Sequence, residues 1–210
     1  MRVIAWVIVF PILVILGGVG YVGLRVWWTG VTWHEAVTLE VDAPMGVKTG
    51  RSVISFSLSE DIVPGGSSLW TLSRGYAGEA TVIEVAPGQF LFALLRSEKD
   101  PYNRPSLAQA VFPEIDRDRE TKELSDTAWM QLFTVPRAKR EIPREALPLL
   151  VRLRDIKDPK TVEKVDPANL AASFGPGFSL KSATLEMLGK RGQMTKGEVE
   201  KVVGPIWGGS

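Results

Sequence analysis

Apolar positions along this chain follow three patterns in turn. From Val3 to Leu24 there are 22 positions without a charge, and only Pro11, Gly17, Gly18, Gly20 and Gly23 are neither aliphatic nor aromatic. A helix that is apolar on every side belongs in a membrane or deep in a large core. At about 1.5 Å per residue this one reaches across a hydrocarbon layer of about 30 Å. In lipid a helix satisfies its own backbone groups, which an irregular segment cannot do.

The period then changes to two. Trp33, Val37, Leu39 and Val41 fall on one parity, with His34, Thr38 and Glu40 on the other, the mark of a half-buried strand. Ser52 to Leu58 repeats it with Ile54, Phe56 and Leu58 on one face. Ala77 to Val85 is rich in β-branched residues, Pro87-Gly88 signals a type II turn, and Gln89 to Leu95 is almost wholly apolar. A strand apolar on both faces lies inside a sheet, so Phe90 to Leu95 is the expected centre of the core.

The third pattern runs from Asp100 to Pro143. Pro105 to Val111 suits a short helix with proline in its first turn. Glu114 to Glu123 is a run of mixed charge, and Ser125-Asp126 can open a helix through Phe133 that turns Trp129, Leu132 and Phe133 inward. This predicts a helical insertion around 100–143. Strands return at 147–154, 161–165 and 178–187. Between the last two, Asp166-Pro167 starts a helix through Ala172 that Gly175-Pro176-Gly177 ends. A further short helix is expected around Glu198 to Val202.

The expected organisation is therefore a transmembrane anchor over 1–28, a juxtamembrane linker over 29–32, a β-rich extracytoplasmic domain over 33–189 and a flexible tail over 190–210. The class is α+β: an N-terminal transmembrane helix, then a mainly antiparallel β-sheet domain with two or three short helices. A β-sandwich is the alternative, should the middle segment consist of loops.

The anchor is expected to meet the bilayer through Val3, Trp6, Phe10, Leu13, Leu16, Tyr21, Leu24, Trp27 and Trp28, with the aromatic residues at the two interfaces. Trp33 either extends that belt or already belongs to the folded body. A secretory signal peptide is the competing reading of the segment. It would want a shorter apolar run and a small-x-small cleavage site, and the chain instead continues Arg25-Val26-Trp27-Trp28. The short N-terminal tail with Arg2 places the N-terminus inside, which puts the body outside the cytoplasm, although Arg25 beyond the span weakens the charge bias. The partners expected are the lipid bilayer, through residues 3–24, and another envelope protein.

Composition narrows the chemistry. Lys and Arg total 25 against 24 Asp and Glu, a net charge of +1, which argues against a nucleic-acid binder. The chain has no cysteine and one histidine, so disulfides, thiolate catalysis and thiolate zinc sites are excluded and a multi-histidine metal site cannot form. No cofactor is expected. His34 stands beside Glu35, but adjacent strand residues point to opposite faces, and no oriented nucleophile accompanies the pair. Asp116, Asp118 and Glu120 alternate like part of a calcium loop, yet Arg117 and Arg119 intervene and Thr121 stands where the loop needs glycine. They read as a solvated face. Arg137, Lys139, Arg140 and Arg144 could touch acidic headgroups. An exposed loop neutralised by Glu141 and Glu145 is the preferred reading.

The run Leu147-Pro-Leu-Leu-Val-Arg-Leu-Arg-Asp155 is followed by Asp158-Pro159, Val165-Asp166-Pro167, Leu170 and Phe174-Gly-Pro-Gly177, then by a strand from Leu180 to Glu186. It resembles a family of small bacterial membrane-anchored envelope proteins to which no activity is assigned. The likeness extends loosely to Tyr76–Leu95. It implies a bacterial source and an N-terminal anchor, and it carries over no functional residue.

The function expected is that of a single-pass envelope protein whose β-rich domain is a non-enzymatic binding module, with its body in the periplasm. One alternative is a membrane-tethered hydrolase working through carboxylates such as Glu79, Glu84 and Asp155, which a deep pocket holding two of them would favour. The other is a small-ligand-binding domain built around an apolar cavity.

Overall fold

The computed structural model describes Gly17, Gly20, Tyr21 and residues 31–62, 70–97, 107–112, 138–190 and 192–204. The chain forms two compact units, 1–32 with 57–75, and 33–56 with 76–210. Among the described residues no helix is long and apolar enough to cross a membrane. Of the run from Val3 to Leu24 only Gly17, Gly20 and Tyr21 are among them, each in helical conformation, with Tyr21 exposed. The other expected anchor residues, Val3, Trp6, Phe10, Leu13, Leu16, Leu24, Trp27 and Trp28, lie outside the described residues, as do Asp116, Asp118, Glu120, Arg137 and the helix expected at 125–133.

The fold is built of two mostly antiparallel sheets with a few short helices. Strands β1 (Val31–Asp42), β2 (Lys48–Ile62), β3 (Trp70–Ala77), β4 (Thr81–Ala86) and β5 (Gln89–Ser97) come first. Helix α1 (Leu107–Val111), β6 (Lys139–Glu141), β7 (Pro148–Leu153), β8 (Val162–Lys164), α2 (Ala171–Phe174), β9 (Ser179–Gly189) and α3 (Glu198–Val203) follow. The five-stranded sheet has the order β3-β2-β1-β9-β6 and the four-stranded sheet β4-β5-β7-β8. In the smaller unit the described strands are the last part of β2 and most of β3.

The parity predicted for β1 is realised, with Trp33, Val37, Leu39 and Val41 buried and His34, Thr38 and Glu40 half-buried. Trp33 thus belongs to the folded body, stacked on Phe56 at 5.3 Å between ring centroids. Facing strands supply Ile54 from β2 and Ala183, Leu185 and Met187 from β9. In β5, Leu91, Phe92 and Ala93 are all buried, because β4 and β7 flank it and both of its faces are covered. This is the interior strand that the unbroken apolar run predicted. Pro87 and Gly88 make the β4–β5 turn, with Gly88 at φ +72°, where a side chain would be strained.

The other side of the β4–β5 hairpin departs from its sequence pattern. Ala77 closes β3, and a new strand begins only at Thr81. Gly78 lies between them at φ +152°, its Cα against Ile54, so that a Cβ there would come within 3.2 Å of the Ile54 backbone. Only glycine permits this crossing from one sheet to the other. Gly50 makes a second close approach. A Cβ on it would run into Ile83 and stand 2.5 Å from the Val82 carbonyl oxygen. Beside it the buried hydroxyls of Ser52 and Thr81 share a hydrogen bond of 2.6 Å.

Of the expected insertion, α1 is helical as its pattern suggests, and Ala108, Val111 and Phe112 are buried. Lys139–Glu141, inside the same segment, is not helical. It forms edge strand β6 alongside β9, where charged side chains suit an exposed sheet edge. The helix expected from Asp166 starts later. Asp166 accepts from the Ala168 amide at 2.8 Å and closes a separate turn, and Asn169 Oδ1 accepts from Ala172 N at 3.2 Å at the start of α2. Gly175 ends that helix at φ +103°.

The stretch beyond residue 190 contains α3, close to the predicted span. Thr195 docks on β2, its amide donating to the Val53 carbonyl (3.0 Å) and its hydroxyl accepting from the Val53 amide (2.8 Å). Val199, Val202 and Val203 then pack with Phe92 and Val151 on one face of the four-stranded sheet. Residues 205–210 lie outside the described residues.

Candidate functional site

The carboxylates considered for hydrolysis are separately employed. Glu79 accepts from the amides of Gly197 and Val199 and so fixes the start of α3. Glu84 accepts from the Gly88 amide across its own turn at 3.0 Å. Asp155 accepts from Lys157 N at 2.9 Å in the loop after β7. None of the three lines a hollow described below, and no two of them meet at one.

His34 is half-buried, its Nδ1 3.1 Å from the Gly189 carbonyl oxygen. Gly192 passes so close over the ring that a Cβ there would overlap it. Leu188 is an extra residue between the rungs His34–Gly189 and Glu35–Met187, so β9 bulges at this point. Glu35 itself is fully buried, on the inward parity of β1, and its Oε1 accepts from Trp33 Nε1 at 2.9 Å. An acid at an inward strand position is invisible to a polarity pattern. The adjacent Trp33, two positions back and able to donate, is the one sequence signal for it.

Arg152 is held by several internal partners. Its guanidinium donates to Glu163 Oε2 through Nε (3.0 Å) and Nη2 (2.8 Å), reaches the Ser173 carbonyl, and lies over the Phe174 ring. Arg154 meets the other oxygen of Glu163 at 2.7 Å. This network ties β7 and β8 to α2, and every partner is internal, so it reads as structural.

The basic cluster divides in two. Arg140 lies over the Phe112 ring, 4.7 Å from its centroid. Arg144 instead starts a 3-10 turn (Arg144–Ala146) after Pro143 has taken the chain away from β9. Its side chain is exposed and makes no ion pair among the described residues.

Around that turn lie two hollows. One, of about 380 Å³, lies along β7 and the end of β8, with Glu145, Leu150, Lys164 and Val165 in its walls. The other, of about 250 Å³, lies along β9, with Glu141, Ile142, Lys181 and Ala183 in its walls. Arg144, Leu147 and Pro167 line both, so the two hollows lie side by side as the two parts of a trough. Of its apolar residues Ile142, Leu147, Leu150, Val165 and Ala183 are buried, and Pro167 and Leu180 are half-buried. Its rim carries three cations, Arg144, Lys164 and Lys181, and two acids, Glu141 and Glu145. Lys181 also stands 3.6 Å from Glu40. A partly apolar trough with a few charges at the rim suits recognition of a partner or ligand. Ser182, in the wall of the second hollow, donates its hydroxyl to Glu40 Oε2 at 3.1 Å.

The sequence reading named Arg144 only as part of a charge cluster and missed Leu147, Pro167 and Lys181 as site residues. Pro143, directly after a short charged strand, was the available signal that the chain leaves the sheet there. No family model, curated protein or solved structure matches this chain.

Proposed function

We propose that this is a single-pass envelope protein of the bacterial inner membrane, with an uncleaved N-terminal anchor and a periplasmic β-rich domain that binds another envelope protein. The observation that carries the proposal is the uncharged run from Val3 to Leu24, bordered by Trp6 on one side and Trp27 and Trp28 on the other, immediately before a folded β domain. Tethering confines the domain to a thin layer beside the bilayer and raises its effective concentration for a membrane-bound partner. The trough around Arg144 gives it a surface to bind with. The resemblance of Leu147–Glu186 to anchored envelope proteins agrees with this placement. Protease added to spheroplasts tests it. The body should be digested while intact cells protect it, and a body that survives in spheroplasts would mean the opposite orientation.

A further inference from the structure

The trough is bounded along one side by a length of sheet edge against which no described strand lies. Strand β6 pairs with β9 through Lys139–Glu186, Arg140–Leu185 and Glu141–Thr184. One further rung follows, the Ile142 amide on the Ala183 carbonyl at 2.8 Å. Continuing that register would set Pro143 and Arg144 beside Ser182 and Lys181. The chain does not continue it, because Pro143 has no amide to donate and the 3-10 turn carries Arg144 and Glu145 away. On its other side β9 pairs with β1 all the way to Ser179. From Ser182 back to Ser179, therefore, no described strand lies against the β6 side of β9, and this stretch borders the hollow walled by Leu180, Lys181, Ser182 and Ala183.

We infer that the trough binds a short extended peptide segment of a partner protein, with alternating aliphatic and acidic side chains, which adds a strand to β9 in the place that Arg144 vacates. Strand addition takes its affinity from main-chain hydrogen bonds and its specificity from pockets for alternate side chains. The half-buried Pro167 and Leu180 in the trough walls receive the aliphatic positions. Arg144 and Lys181, which line the same hollow, favour an acid there. The β-bulge at Lys181, the extra residue between the rungs Glu40–Ser182 and Val41–Leu180, limits the edge to a short segment. Bulges and lysines are how sheets avoid templating long strands. The inference rests on the binding-module reading and names the surface and the partner chemistry for it.

The test uses the full chain in neutral detergent and a fluorescent, end-blocked eight-residue peptide of alternating valine and glutamate. Its controls are the valine–lysine peptide and the valine–glutamate peptide N-methylated at alternate residues, which keeps the side chains and removes half of the amide donors. Anisotropy should show the first peptide binding at least tenfold more tightly than either control. Arg144→Glu should weaken it at least tenfold with unchanged thermal unfolding. Lys181→Glu, in the same hollow, should do the same, and it decides the matter should Arg144→Glu lower the unfolding temperature. No binding, equal binding of the N-methylated peptide, or indifference to both reversals would each overturn the inference. Peptide binding in detergent is independent of where the chain resides in the cell, so this failure is distinct from failure of the anchor.

Discussion

Removing the Glu79 carboxylate should loosen the C-terminal segment without melting the sheets. Glu79 accepts from two amides, those of Gly197 and Val199, and these hold the start of α3. A hydrogen bond to a charged acceptor contributes about 1.5–3 kcal/mol. Two amides sharing one half-buried carboxylate contribute less than twice that, so we take about 2–3 kcal/mol as the loss for Glu79→Ala. The segment keeps its other attachments, the Thr195–Val53 pair and the valines of α3 on Phe92 and Val151. The loss should therefore appear as local opening. Hydrogen exchange reads it directly. The Lys201 and Gly204 amides, bonded within the helix to Gly197 and Glu200 carbonyls at 3.0 and 2.8 Å, should exchange roughly 30–150-fold faster at tenfold per 1.4 kcal/mol. Amides of β5 should change much less. Glu79→Gln keeps one acceptor oxygen and should lie between. If the α3 amides keep their wild-type rates, or rise only in step with β5, Glu79 does not hold this segment and the reasoning fails.

Two substitutions test the packing between the sheets. Gly50→Ala places a methyl group against Ile83 and the Val82 carbonyl, and should cost about 1–3 kcal/mol, read calorimetrically as a fall in Tm of about 2–4 °C per kcal/mol. An unchanged Tm would mean the approach at Gly50 is not tight. Leu91→Ala, at a fully buried site in the interior strand β5, should cost about 2–5 kcal/mol in denaturant unfolding, and a loss below about 1 kcal/mol would displace β5 from the centre of the core.

What could be read from the sequence followed the range of the physics involved. The alternation of β1, the apolar run of β5 and the Pro87-Gly88 turn are local patterns, and each reappears as an element in its expected place. β6 was missed because three charged residues carry no periodicity, and they become a strand only through pairing with β9. The division at Gly78 was missed because its cause, the Ile54 backbone, is distant in the chain. The helix expected from Asp166 was shortened because aspartate and asparagine side chains can close turns as readily as they open helices. The trough was not legible for a related reason. It exists where β6 parts from β9 beside the β7–β8 pair, and no single segment shows that junction. Glu35 was hidden by its own polarity, since an inward acid departs from the very pattern used to find the inside.

The central claim is that the opening segment holds the body at a membrane. Fractionation of cells by alkaline carbonate extraction, comparing the wild-type chain with one carrying Leu13→Arg and Val14→Arg, tests it most directly. Each arginine at mid-span disfavours insertion by about 2.5–3.5 kcal/mol. The wild-type chain should stay in the membrane pellet at full length, and the double variant should appear in the soluble fraction. A wild-type chain recovered soluble, or shortened past Leu24, or a variant that fractionates like the wild type, would contradict the account.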